Sequence, residues 1–238
     1  EMSASLVGSE MCIRDSTTTV NDTPESITAA FQAYLKACEA RRAKRLASFT
    51  ANSPEIVFTK FRTLRPSFFA YTEGASDARA ECNYIAGGTL SKIKMNGIWA
   101  EEETLMTDED GVYRDPNLHF DGQHLLFSWK KSAKEDDFHL YEMDLKTRDI
   151  KQLTFGKGHA DIEGIYLPDE NILFNSTRCG SAVDCWFTEV SNMYLCDREG
   201  RYMRQVGFDQ VHTVTPTLLD DGRICLLYTS DAADEARS

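Results

Sequence analysis

Two patterns of hydrophobic and polar positions divide the chain. Between Pro24 and Arg45 apolar residues recur at helical spacing, as Ile27, Phe31, Leu35 and Cys38 with Tyr34 beside them. Thr23-Pro24-Glu25 supplies an N-cap hydroxyl, a proline at the first helical position and an acid in the first turn, so one helix is predicted to start there. Arg41, Arg42, Lys44 and Arg45 are expected at its far end, where cations suit the helix dipole. From Glu55 the texture becomes β-branched and aromatic, beginning with Ile56-Val57-Phe58-Thr59-Lys60-Phe61.

The strand-like runs repeat. Asp121-Gly122 precedes Leu125-Leu126-Phe127, then His139-Leu140-Tyr141-Glu142-Met143-Asp144, then Ile150-Lys151-Gln152-Leu153-Thr154-Phe155. Asp169-Glu170 precedes Ile172-Leu173-Phe174, then Asn192-Met193-Tyr194-Leu195-Cys196-Asp197, then Tyr202 to Phe208. A third unit opens at Asp221-Gly222. The turn aspartates are 48 and 52 positions apart, slightly longer than the ~40–45 residues of a common propeller blade. Leu118-His119-Phe120 and Ile165-Tyr166-Leu167 are expected as innermost strands. A more diverged unit runs from Ile56 through Lys92–Gly97 to Thr104-Leu105-Met106. The reading is an all-β fold, a partial, unclosed β-propeller of about three to three and a half four-stranded blades after one N-terminal helix.

The ends change the boundaries. Met11-Cys12-Ile13-Arg14-Asp15 and Cys225-Leu226-Leu227-Tyr228-Thr229-Ser230 can be encoded by reverse-complementary DNA and resemble translated sequencing adapter. Residues 1–16 and 225–238 are therefore set aside as adapter-derived, leaving a helical segment at 17–50 and propeller at 51–224. On this reading the chain is a fragment whose remaining blades lie beyond Ile224. The formal charge of −12 falls to −8 once the two ends, each net −2, are removed. That acidity argues against nucleic acid as partner, because phosphate binding needs clustered cations. No stretch approaches the ~20 apolar residues of a membrane span. Glu101 and Glu103 share a strand face but make a poor catalytic pair, and Lys130–Asp137 is expected to be a solvated hairpin loop. No phosphate loop, nucleophile elbow or His-Glu-x-x-His helix occurs.

Leu-Tyr-x-x-Asp-type strands followed by Gln-Leu-Thr-Phe, with the Asp-Gly turn, resemble the TolB-like propeller repeat over roughly residues 110–224. Longer phrases resemble the family named for the middle domain of the hydrazine synthase alpha subunit. These are Ile56–Lys60, His119-Phe120-Asp121-Gly122, Trp129–Ser132, Phe174–Cys179, Asp184-Cys185-Trp186 and Phe208–His212. The resemblance implies a periplasmic or otherwise exported bacterial protein. Haem c and zinc, with a haem-bearing domain as partner, belong to the parent; no Cys-x-x-Cys-His stands in this chain, so no cofactor is expected here.

For an exported protein, Cys179 and Cys185 favour a loop-stapling disulfide, with two buried thiols or a metal site as the other readings. Cys196 and Cys38 read as small core residues. His159, Asp161 and His212 fall where one blade's outer strand connects to the next blade's inner strand. There they would face a ligand or metal across the channel rim, or serve as hydrogen-bonded turn residues. The functional expectation is a scaffold or ligand- or partner-binding module without a complete active site. The alternatives are part of a haem and metal redox enzyme, or the propeller of a serine oligopeptidase.

Overall fold

The computed structural model describes residues 23–52, 55–62, 75, 83–96, 98–183 and 188–228. The helix α1 (Pro24–Asn52) belongs with Met95–Ala100 to one compact unit, and the remaining strands belong to another. Thr23 caps α1, its hydroxyl accepting the Ser26 amide at 3.3 Å. The basic cluster lies in mid-helix, contrary to the expectation that it closes it, and no basic residue occupies the last turn. Leu46 to Ala51 contain no breaker, and Pro54 is the first residue that disfavours helix before it. None of the helix residues is buried, so Cys38 is not a core residue.

In the second unit strands follow one another as antiparallel meanders. β1 (Glu55–Phe61), β2 (Gly88–Asn96) and β3 (Trp99–Asp108) form a three-stranded sheet. β4 (Val112–Leu118), β5 (His124–Lys130), β6 (His139–Asp144) and β7 (Ile150–Gln152) form the first complete blade. β8 (Asp161–Tyr166), β9 (Asn171–Ser176), β10 (Asn192–Asp197) and β11 (Arg204–Gln205) form the second. β12 (Thr213–Leu218) and β13 (Ile224–Tyr228) make a two-stranded sheet, so none of the four sheets closes on itself. β13 extends past 224 because Leu226 packs with Leu218 against the Ile165–Leu173–Met193 cluster.

Each seam between sheets is an apolar layer. Leu90, Tyr113, Leu125, Phe127, Tyr141 and Met143 fill the first, against Val57 and Leu105. Leu126, Leu140, Tyr166, Ile172, Phe174 and Cys196 fill the second. Cys196 is thus a core residue, and burial pushes its thiol up to about 12. The alternation of the strands makes this possible: every other residue of β5 and β9 faces one neighbouring sheet, and the residues between face the other.

The innermost strands begin earlier than expected, at Val112 and Asp161. Charged residues and a bulge hide them from a hydrophobic count. In β4, β8 and β12 the register shifts between Arg114 and Asn117, Ile162 and Ile165, and Val214 and Thr217. At each shift one residue has positive φ: Asp115 (54°), Glu163 (55°) and Thr215 (50°). These are 48 and 52 positions apart, the same period as the turn aspartates. The Lys130–Asp137 loop is not solvated throughout: Lys130 and Asp137 are both buried. Lys130 ends β5 in register with Val112, and Asp137 Oδ2 accepts the Gly158 amide at 2.9 Å. No helix among the described residues is long and apolar enough to cross a membrane.

Candidate functional site

Three polar constellations lie on the blades. The first joins the inner strands. Asp115 Oδ2 accepts the Glu163 amide at 3.2 Å, and Glu163 Oε2 accepts the Thr215 amide at 2.6 Å. The bulge residue of each blade therefore reaches the backbone of the bulge residue in the next. Arg114 binds both carboxylates, its Nε donating to Asp115 at 2.6 Å and Nη2 to Glu163 at 3.4 Å, while Nη1 donates to Tyr84 Oη at 2.8 Å. Burial pushes the Glu163 carboxyl up, and the bonds from Thr215 and Asn175 pull it back only in part. Asp115, Pro116, Glu163, Ile165 and Thr215 line a cavity of about 220 Å³ beside this chain of contacts.

The second constellation surrounds Asp161, which is wholly buried. Ser176 Oγ donates to its Oδ1 at 2.6 Å, and Arg178 holds it by Nε to Oδ1 at 2.9 Å and Nη2 to Oδ2 at 2.7 Å. His139 Nδ1 lies 3.3 Å from Oδ2. Burial pushes this carboxyl up, but the bonds from His139, Arg178 and Ser176 and the guanidinium charge outweigh it, bringing it down to about 2. His159 is a neighbour, its ring 6.0 Å from His139 and its Nε2 3.3 Å from the Phe155 carbonyl. His212 lies elsewhere, buried, its Nδ1 accepting the Ser191 amide at 3.2 Å, and burial lowers its pKa. Of the rim trio, then, Asp161 is held by His139 and Arg178, whereas His159 meets the Phe155 carbonyl and His212 the Ser191 amide. The Cys179 thiol donates to the Val190 carbonyl at 3.1 Å, and Cys185 lies outside the described residues. Glu103 pairs with Lys92 and Arg148, and Glu102 with Lys60, so these acids bridge strands.

The third constellation stands on the β4–β5 turn. His119, Asp121 and His124 bring their ligand atoms within 4.8 Å of one another. Asp121 Oδ1 accepts the amides of Gln123 at 2.7 Å and His124 at 3.2 Å, fixing the turn. Its Oδ2 lies 2.7 Å from His124 Nδ1 and 3.0 Å from His119 Nδ1. Burial pushes the Asp121 carboxyl up, but the amide bonds and the two rings hold it well below the usual carboxylate range. In the sequence His119 and Asp121 stand out only within the His119-Phe120-Asp121-Gly122 phrase, and neither this trio nor Arg114 and Glu163 is marked there as a site. Comparing the units would have found it, since Leu167 and Leu219 stand where His119 does. Beside the turn runs a groove of about 460 Å³ between successive inner strands, lined by Phe120, Tyr166, Pro168, Pro216 and Leu218 among others.

Stacked antiparallel four-stranded sheets with bulged innermost strands define a segment of a β-propeller. No family model matches the sequence, and no curated protein matches it. Among solved structures, hydrazine synthase of Kuenenia stuttgartiensis is similar over 73% of this chain and 27% of that one, at 16% identity and a TM-score of 0.54. TolB from Acinetobacter baumannii matches over 59% of this chain and 35% of its own, at 21% identity and a TM-score of 0.41. A TolB from Agrobacterium tumefaciens matches over 55% and 46%, at 16% identity and a TM-score of 0.41. The chain thus spans less than half the length of each, and the hydrazine synthase likeness speaks to the fold alone.

Proposed function

We propose that this chain is a blade-bearing segment of an exported bacterial propeller protein of the kind that includes the middle domain of the hydrazine synthase alpha subunit. In that protein it serves as a scaffold and as a ligand- or partner-binding module. Further blades complete the ring, and any haem c is carried by another part of the same protein, a haem-bearing domain being the partner. One observation carries this reading. The inward-facing charged groups Arg114, Asp115 and Glu163 are engaged in joining one blade to the next, whereas the groove beside Phe120 and Tyr166 is left open along three successive inner strands. The first set builds a frame, and the second is the surface such a frame would present.

The test is the parent gene read in full and expressed as one protein. Further units with an aspartate turn about every 48 to 52 residues are expected, with Cys-x-x-Cys-His outside them if the partner binds haem. A Gly-x-Ser-x-Gly hydrolase domain following the blades, with peptidase turnover, would overturn the reading.

A further inference from the structure

We propose that His119, Asp121 and His124 form a binding site for a divalent transition-metal ion of the zinc class. The ligands would be one imidazole nitrogen from each histidine and Oδ2 of the aspartate. Two imidazoles and one carboxylate suit zinc, cobalt, nickel or copper rather than calcium or magnesium, which prefer sets of oxygens.

The repeat itself supplies the control. All three turns carry the aspartate, and in all three its Oδ1 accepts an amide two residues on: Gln123 at 2.7 Å, Asn171 at 3.2 Å and Arg223 at 3.1 Å. In all three Oδ2 also meets a side-chain nitrogen of the residue at the head of the following strand, the first residue of β5 and β9 and the one just before β13. These are His124 at 2.7 Å, Asn171 Nδ2 at 2.7 Å and Arg223 Nε at 2.8 Å. One such nitrogen is all the turn requires. His119 is surplus to it, because the residue at its place is Leu167 in the next blade and Leu219 in the one after.

The surplus ring is also aimed. His119 is nearly buried, with Tyr166 edge-on at 4.6 Å. Its Nε2 lies 3.3 Å from Glu170 Oε2 and 3.4 Å from Arg198 Nη1, which also donates to that carboxylate oxygen at 3.2 Å. The Asp121 amide donates to Nδ1 and so favours the tautomer whose proton sits on Nε2, toward Glu170. Nδ1 is then left with its lone pair, which accepts the Asp121 amide at 3.2 Å and faces Oδ2 at 3.0 Å. In that tautomer the Nδ1 lone pair and Asp121 Oδ2, 3.0 Å apart, are two donors for one cation, which would take the place of the ring's bond to the carboxylate. Glu170 on the far nitrogen completes the carboxylate–histidine–metal arrangement that fixes the tautomer and raises ligand basicity. Three protein ligands leave a coordination position for water or a ligand donor atom. The groove lies next to the site, since Phe120 and Tyr166, whose rings stand against His119, line it.

The experiment titrates the full chain with Co²⁺, following its visible absorption, and then displaces it with Zn²⁺ by calorimetry. One equivalent is expected to bind without a thiolate-to-cobalt charge-transfer band. His119→Leu, which installs the residue of the other two blades, is expected to weaken binding by at least about tenfold while leaving the denaturation midpoint unchanged. Glu170→Gln is expected to weaken it by about tenfold. Should His119→Leu not fold, His124→Asn, the residue of the next blade, reads the same loss. The absence of saturable binding would overturn the proposal, as would cobalt binding of undiminished affinity in the folded variant.

Discussion

The two complete blades share strand order, bulge and turn, yet they treat one position in opposite ways. The second residue before the register shift is Tyr113 in β4 and Asp161 in β8. Tyr113 belongs to an apolar layer with Phe127 and Tyr141, and its buried hydroxyl has no partner among the described residues. Asp161 is a buried charge held by Arg178, Ser176 and His139. What the blades share is therefore what the fold needs: the positive-φ bulge, the aspartate turn and the link from one bulge to the next amide. Where they differ, one blade carries something the other does without, and His119 against Leu167 is a second case.

The largest effect should come from breaking the β8 network. Asp161→Ala leaves the Arg178 guanidinium, His139 and Ser176 with their common partner gone, and chemical denaturation should show a loss of about 3–5 kcal/mol. Glu163→Ala strips the Thr215 amide and Arg114 of an acceptor and should cost about 2–3 kcal/mol by the same measurement. Acid should separate the blades next. The Asp161 carboxyl is depressed from 3.8 to about 2, so its contribution of about 2 kcal/mol is present above about pH 4 and lost as pH falls toward 2. Unfolding free energy measured against pH should lose that acid slope in Asp161→Asn. Glu163 runs the other way, its raised pKa meaning that ionisation is penalised at neutral pH and the penalty fades on acidification.

The outer turns give a smaller contrast. Both need a positive φ, met by Arg148 at 66° in one and Gly200 at 76° in the other. A Cβ on Gly200 would lie 2.0 Å from the Leu153 carbonyl oxygen of the preceding blade, so Gly200→Ala should lower stability by about 1–3 kcal/mol or more. Arg148→Ala should be milder, because that position already carries a Cβ at positive φ. The smallest effect is expected at Tyr113→Phe, which removes an unpaired buried hydroxyl and should shift stability by less than about 1 kcal/mol, in the stabilising direction.

Much of this was legible in the sequence, and the reason is period. β5, β6, β9 and β10 alternate or run apolar and were read within a residue or so, as was the N-cap at Thr23. The inner strands were misplaced because Arg114, Asp115 and Glu163 look like loop residues until a neighbouring blade supplies their partners. Helix length was underread because a basic run was taken for a terminus. The site residues were the least legible. Asp161 was singled out for its place at a blade connection, but its partners His139 and Arg178 come from 22 and 17 positions away. His119 gains meaning only beside Leu167 and Leu219.

The central claim is that each inner-strand bulge hands a carboxylate to the backbone of the next, and amide hydrogen exchange tests it most directly. In the wild-type chain the Glu163 and Thr215 amides should both exchange slowly. Asp115→Ala should speed exchange at Glu163, and Glu163→Ala at Thr215, with the β9 and β10 ladder amides left protected. A Thr215 amide that exchanges as fast as unfolded chain in the wild type, or as slowly in Glu163→Ala as before, would contradict it.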